Sequence, residues 1–321
     1  MAPVNPDDIE QLLDDAAGGR RAALARLLSV VERGGDGARV LGRLAHPRGG
    51  QAYTVGITGA PGAGKSTLTN ALCATVREAG DRIAVLAIDP SSPFSGGAIL
   101  GDRIRMGDHT LDDGVFIRSM ATRGHLGGLS LATPSAVRVL DAVGFPWVVV
   151  ETVGVGQVEV EIVGSADTCV VVVNPGWGDA VQANKAGLME IADVFVVNKA
   201  DRAGAAETQN DLEGMLSLKV ADGWRPPVVP AVATSGEGVA DVWTAVADHR
   251  RWLDESGEGA RRRQGRVAAE LRSIIAVQLA ARAAKLGGGS RFEELRDEVL
   301  ARDIDPWSAV DEVLASIDSR S

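Results

Sequence analysis

The stretch GITGAPGAGKSTLTNAL, Gly56 to Leu72, sets several glycines directly before a lone Lys-Ser-Thr. Glycine tolerates positive φ and close backbone approach, so successive N–H groups can converge on an anion. Gly59, Gly64, Lys65 and Ser66 match G-x-x-x-x-G-K-[ST], a phosphate-binding loop. The candidate nucleotide-binding segment is therefore Gly59, Pro61, Gly62, Ala63, Gly64, Lys65, Ser66 and Thr67. A β-branched run, Tyr53 to Thr58, precedes it, and Leu68, Ala71, Leu72 and Val76 follow at helical spacing. That strand–loop–helix order puts a phosphate chain at a helix N-terminus.

A second constellation, VFVVNKAD, ends an apolar run with Asn198, Lys199 and Asp201. The Asp201 carboxylate can accept from both the N1–H and the exocyclic amine of guanine, and adenine offers neither at those positions. Such a bidentate, charge-assisted contact is the stronger kind of hydrogen bond. Asn198 would tie the loop to its neighbours and Lys199 would lay its stem on the ring. In AVATSGEG, the backbone amides around Ala233 and Thr234 are expected to reach the guanine carbonyl. The implied ligand is GTP or GDP.

Mg²⁺ takes oxygen ligands, usually one or two carboxylates beside the phosphates. Ser66 is the hydroxyl candidate; Asp89 in LAIDPSS, Asp102 in LGDRIRM and Glu151 in VVVETVGVGQ are the acids. ETVG stands where many GTPases carry D-x-x-G, with glutamate in place of aspartate. Gly154 is expected to donate its N–H to the γ-phosphate and to move on hydrolysis. Val155 follows it where a water-orienting glutamine stands in Ras-like proteins, with Gln157 two residues on, so unaided hydrolysis should be slow. His46, His109, His125 and His249 are scattered and read as surface or capping residues, with no C-x-x-C beside them.

Seven elements must carry these groups. Runs at Tyr53–Thr58, Ile83–Ile88, Val115–Arg118, Trp147–Thr152, Thr168–Val173, Val194–Val197 and Val228–Val232 alternate with helical patterns. Several are apolar throughout, as strands covered on both faces are, so an α/β fold follows: a mostly parallel sheet flanked by helices. Ligand groups gather at the carboxyl ends of such strands. Residues 1–50 read as a helical extension whose Gly34–Gly50 part is a link, and 51–253 as the nucleotide-binding domain. Residues 254–321 read as a helical arm entered through a charged hinge, ESGEGARRRQGR, and serving as a packing cap or a dimerisation surface.

With 321 residues, 45% of them hydrophobic, the chain can bury a sizeable core. A net charge of −10 argues against a generic nucleic-acid surface. No apolar run reaches the roughly 18–20 residues a membrane span needs, and the acidic N-terminus is unlike a signal peptide. Cys73 and Cys169 sit in apolar contexts and read as buried thiols. The expectation is a soluble, cytoplasmic protein.

Taken together, GAPGAGKSTLTNAL, AIDPSSPFSGGAILGDRIRM, FIRSMATRGHLGGLS, ETVGVGQVEVEIVGSADTCVVVVNPGWGDAVQANKAGLMEIADVFVVNKAD and ATSGEG closely resemble the MeaB/MMAA family. Its members are GTPase chaperones of adenosylcobalamin-dependent methylmalonyl-CoA mutase, also labelled ArgK or LAO/AO transport ATPase. The likeness runs from about residue 50 to 250. It implies a SIMIBI-class P-loop domain and a homodimer joined through the C-terminal helices, with cobalamin held by the partner mutase. It also implies that Lys65 and Ser66 serve phosphate and Mg²⁺, that Asp89, Asp102 and Glu151 surround the metal, and that Asn198, Lys199 and Asp201 read guanine. Asn174–Gly187 looks like the family's additional switch, with Gln182 and Lys185 at its polar positions. Lys65, Glu151, Gly154, Gln182 and Lys185 are thus the candidate catalytic set. Trp177 and Asn184 depart from the sequence of the better-known members. Alternatives are a nickel-insertion GTPase, disfavoured by the missing Cys/His cluster, and a kinase or ATPase of amino-acid transport, disfavoured by Asp201. A nucleotide-independent scaffold is more remote.

Overall fold

The computed structural model describes residues 8–90, 112–122, 128–152, 166–176, 182–218, 223–286 and 290–318. Seven parallel strands form one sheet: β1 (Tyr53–Gly59), β2 (Ile83–Pro90), β3 (Val115–Thr122), β4 (Trp147–Thr152), β5 (Thr168–Val173), β6 (Val194–Asn198) and β7 (Val228–Ala231). Their order is β3-β2-β4-β1-β5-β6-β7. The chain builds one half outward from β1, then crosses to the other side of β1 between β4 and β5. That reversal opens a crevice at the carboxyl ends of the central strands. β4 and β5 are buried at every position, which accounts for their unbroken valines.

Both faces of the sheet are covered. The helices are α1 (Ile9–Ala17), α2 (Arg21–Arg33), α3 (Gly35–Ala45), α4 (Lys65–Glu78), α5 (Gly128–Ala142), α6 (Gln182–Ile191), α7 (Ala205–Ser217) and α8 (Val239–Ser256). α4 and α8 lay Leu68, Leu72, Val242 and Val246 on one face against Ile57, Val85, Val149 and Val172. On the other face α6 and α7 pack Leu188, Leu212 and Leu216 against Val171 and Phe195.

The N-terminal helices share the core of the sheet. Ile9, Leu13, Leu24, Leu27, Leu28 and Leu41 belong to one cluster with Leu86, Phe116, Leu140 and Val148. Each such side chain contributes about 1.5–3 kcal/mol on burial. A partly buried pair, Arg118 of β3 with Glu32 of α2, adds a polar tie at the sheet edge. The segment expected as a link forms α3 instead, because Leu41 and Ala45 recur at helical spacing and are buried. Among the described residues no helix is long and apolar enough to cross a membrane.

The charged stretch expected as a hinge is also helical. α8 ends at Gly257, φ +71°, and α9 (Glu258–Leu286) starts at once. Its first turns are held by two acids at the amino ends of β5 and β6. Arg262 makes a forked contact of 3.0–3.1 Å with Asp193, and Arg266 pairs with Asp167. Asp193 also accepts from the Cys169 amide at 2.9 Å, and Asp167 from the amide and hydroxyl of Thr54. His249 lies inside this network and is fully buried, contrary to its expected surface position. Its Nδ1 meets Thr168 Oγ1 at 2.8 Å and its Nε2 stands 3.3 Å from Asp193 Oδ1. Val242, Val246 and Leu253 share its helix face, so the imidazole points inward with them. Both cysteines are buried, and burial pushes the Cys73 thiol up to about 12 and that of Cys169 well above its ordinary value.

The contacts divide the chain at Arg266, and residues 267–321 form a second unit. It comprises the rest of α9 with α10 (Ser290–Ala301) and α11 (Pro306–Asp318). Leu295 and Ala309 are buried in it. Asp305 caps α11 by accepting from the amides of Trp307 and Ser308. Val267, Leu271, Ile275 and Leu279, one per helical turn, are each more than half exposed.

Burial, followed by the nearby Arg262 charge, pushes His249 down to about 3. The unfolded chain, with an ordinary histidine near 6.5, binds the proton first. Stability from this residue is therefore complete above about pH 6.5 and is lost progressively toward pH 3. Burial raises Asp193, which adds an opposing trend at acid pH. Comparison with a variant isolates the imidazole. Urea unfolding of His249→Gln between pH 7 and 4 should show a shallower loss of stability than the wild type. Equal slopes would contradict this.

Candidate functional site

Among the described residues, the loops after β1, β6 and β7 meet at the carboxyl edge of the sheet, beside the end of β4. The first leaves β1 at Gly59 and enters α4 at Lys65. Gly59 has φ +139°, and a Cβ there would stand 1.9 Å from the Val172 carbonyl oxygen of β5. Gly64 has φ +93°, and its Cβ would meet Asn198 Nδ2 at 2.3 Å. Neither position admits another residue: both the backbone conformation and the neighbouring strand exclude a side chain. Gly62 also has positive φ, and with Pro61 it lies exposed.

Lys65 is 6% exposed. Its ammonium donates to the carbonyls of Gly59 and Ala60 at 2.8 and 3.0 Å, folding back over its own loop. Ser66, in the first turn of α4, donates to Glu151 Oε1 at 2.5 Å. Glu151 is paired in register with Ile57 of β1 and is 2% exposed, so its carboxylate lies in the crevice beneath the loop. A hydroxyl and a carboxylate held together at the start of a helix form an oxygen donor pair suited to a hard divalent cation. Thr67, half-buried, follows on the same helix.

The N-K-x-D turn leaves β6 beside this loop. Asn198 is buried, donates through Nδ2 to the Ala63 carbonyl at 2.7 Å, and accepts at Oδ1 from the Ala233 amide at 3.1 Å. One side chain thus joins the loop after β1 to the loop after β7. Lys199 has φ +60°, a conformation that costs a non-glycine residue of order 1–3 kcal/mol. Its ammonium reaches the Gly62 carbonyl at 2.6 Å, and the Ala200 amide bonds the Ala231 carbonyl at 3.0 Å. These bonds hold the strained turn and leave Asp201 exposed beyond it. One expectation is corrected here. The Ala233 N–H is committed to Asn198 and does not stand open to a base; Thr234, next to it, is exposed.

Asp89 occupies the penultimate position of β2, in register with Ala121. Gln182 and Lys185 fall in the first turns of α6. Asp102, Gly154, Val155, Gln157 and Trp177 lie outside the described residues, as do His109 and His125. The structure thus brings Gly59, Lys65, Ser66, Glu151, Asn198 and Lys199 into one contact network. The sequence reading missed Thr58 and Thr152, fully buried beneath this site, whose hydroxyls bond each other at 3.0 Å. Two threonines ending adjacent apolar strands were the available signal.

A parallel sheet with a glycine-rich loop opening a helix at its central strand, and an N-K-x-D turn two strands away, defines a P-loop nucleotide-binding protein of the GTPase class. The model of the family described as methylmalonyl Co-A mutase-associated GTPase MeaB matches residues 24–286. The chain belongs to that family. A Pyrococcus horikoshii protein classed by name among the GTPases is 50% identical over 317 residues, 97% of this chain and 99% of its own. The GTPase ArgK of Escherichia coli is 37% identical over 248 residues, 74% of this chain and 75% of its own. Among solved structures, a LAO/AO transport system kinase superposes with a TM-score of 0.70 at 25% identity, over 99% of this chain and 100% of its own.

Asn198→Ala removes both bonds of the bridge and leaves two buried backbone groups unpaired. Each such group costs about 1–3 kcal/mol. The melting temperature should fall by roughly 4–10 °C, and GDP affinity by at least about tenfold. Calorimetric melting and titration check both, and unchanged values would show that the bridge carries no load.

Proposed function

We propose that the chain binds GTP and GDP with Mg²⁺ at the carboxyl edge of its sheet and hydrolyses GTP to GDP and phosphate. In this reading it gates the loading or protection of cobalamin in an adenosylcobalamin-dependent acyl-CoA mutase of the methylmalonyl-CoA type. The observation that carries the nucleotide reading is the Asn198 bridge, which holds the guanine-reading turn against the phosphate loop. The family's description, mutase-associated GTPase, supports the partner. The cofactor belongs to that partner.

The chemistry follows from the side chains. The loop amides from Gly59 to Ser66 and the N-terminus of α4 receive the phosphates, and Lys65 gives up its loop carbonyls for them. Ser66 and Glu151, with Asp89 and Asp102, would hold Mg²⁺, which neutralises charge on the phosphate oxygens. The 2.5 Å approach of Ser66 to Glu151 fits that donor set. Asp201 selects guanine, the stem of Lys199 covers the ring, and the loop at Thr234 lines the carbonyl edge. Gly154 donates to the γ-phosphate, and Gln182 and Lys185, at the start of α6, carry the partner-dependent part of the reaction. Residues 51–253 carry this chemistry, 1–50 support it, and 254–321 join two copies in a homodimer. The apolar row Val267, Leu271, Ile275 and Leu279 supports that joining role. Sedimentation velocity reads it, and a monomer at micromolar concentration would remove it.

The decisive experiment is GTP hydrolysis by the purified protein, alone and with the mutase. Alone, turnover should be slow, roughly 10⁻⁴ to 10⁻² s⁻¹, for want of a supplied water-orienting or charge-stabilising group. The mutase should raise it by at least about tenfold, or about 1.4 kcal/mol of barrier. Gln182→Ala and Lys185→Ala should lose that stimulation with GDP affinity within a few-fold. Asp201→Asn should weaken guanine binding and favour xanthine nucleotides. Equal affinity for GTP and ATP would remove the guanine assignment, and full stimulation in both alanine variants would remove the switch.

A further inference from the structure

Beneath the nucleotide edge, the ends of β1 and β4 carry a buried hydroxyl pair. Ile57 and Glu151 are register partners, and Thr58 and Thr152 are one step beyond them. Side chains alternate along a strand. Ile57 and Glu151 therefore face α4, where Glu151 meets Ser66. Thr58 and Thr152 face the opposite side, with Val148 and Val150. Both threonines are fully buried, and Thr152 Oγ1 donates to Thr58 Oγ1 at 3.0 Å.

Packing alone does not call for these hydroxyls. Val148, Val149 and Val150 precede them on β4, and Val171 is the register partner of Thr58 on β5. Valine has nearly the volume of threonine and suits such surroundings, whereas burying a hydroxyl costs free energy that its hydrogen bonds only offset. The placement is specific as well. Thr58 directly precedes Gly59, where the phosphate loop begins, and Thr152 directly follows Glu151. The bond ties the strand that launches the phosphate loop to the strand that presents the metal-side carboxylate.

We propose that the Thr58–Thr152 bond is a positioning contact for GTP hydrolysis. It fixes the backbone at the end of β4, so that the Glu151 carboxylate on the other face stays on Ser66. The inference rests on the GTPase reading above. Neither threonine touches the nucleotide; both act through Glu151. A misplacement of about 1 Å in such a group can cost as much as about 10²-fold in rate.

The test compares Thr152→Val, Thr152→Ser, Thr58→Val and the double valine variant with the wild type. The readouts are single-turnover GTP hydrolysis, GDP affinity and thermal melting. Thr152→Val and Thr58→Val should each slow hydrolysis at least about fivefold. GDP affinity should stay within about twofold, while melting should fall modestly in each single variant, which leaves the other buried hydroxyl unpaired, and recover in the double one. Thr152→Ser restores the hydroxyl and should return the rate to within about twofold of wild type. The double variant should be no slower than Thr58→Val, because the bond is already lost in that single variant. Hydrolysis at the wild-type rate in Thr152→Val would overturn the contact, as would a serine variant as slow as the valine one. A parallel fall of rate, affinity and melting temperature would make the bond merely structural and also overturn it. An inactive wild type would instead overturn the GTPase reading, and this role with it.

Discussion

The nucleotide edge of this protein depends on Asn198 making two hydrogen bonds at once. The loop after β1 and the loop after β7 are far apart in sequence and leave strands separated by β5 and β6. A carboxamide donates from its nitrogen and accepts at its oxygen, on two separate atoms. Asn198 uses both capacities, on the Ala63 carbonyl and the Ala233 amide. An aspartate there would lose the donor and add a buried charge. A leucine would lose both bonds. The strained turn at Lys199 and the exclusion of a side chain at Gly64 are consequences of the same close approach.

The two ends of the sheet handle polar groups differently. At the amino ends of β5 and β6, the acids Asp167 and Asp193 are matched by Arg266 and Arg262 and by backbone amides. Charges are compensated there and the network holds α9 in place. At the carboxyl ends, Lys65 donates to two loop carbonyls and Glu151 accepts from the Ser66 hydroxyl. The first end anchors a helix, and the second anchors the loops of the nucleotide edge.

What could be read in the sequence follows from the range of the forces involved. The inner strands were legible because a doubly covered parallel strand needs a run of apolar residues and nothing else, and the part-exposed edge strand β7 keeps enough of that run in Val228 and Val229. The phosphate loop and the N-K-x-D turn were legible because their chemistry is local. α3 was not, since its glycines and the following proline masked a stripe ending in Leu41 and Ala45. The first turns of α9 resembled a solvated charge run because Arg262 and Arg266 find their carboxylates 69 and 99 residues away. His249, flanked by Asp248 and Arg250, looked like a surface residue, although its spacing from Val242, Val246 and Leu253 marked the inward face of the helix. The role of the Ala233 amide depended on a partner 35 residues distant.

The glutamate in ETVG follows the same geometric logic. β4 is adjacent to β1, and its fifth residue stands level with Ile57, a full loop short of Ser66 in sequence but close to it in space. Glu151 reaches Ser66 Oγ directly at 2.5 Å. An aspartate at this position is one methylene shorter, and from the same backbone it would fall short of that hydroxyl. The longer side chain therefore reaches its hydroxyl partner directly. Its reach is useful only if the strand end that carries it does not shift. A rigid end to β4 thus matters more with a glutamate than with an aspartate, because a rotation at the backbone is amplified along the longer arm. The buried threonine pair on the opposite face of the sheet lies at the level where such a rotation would start.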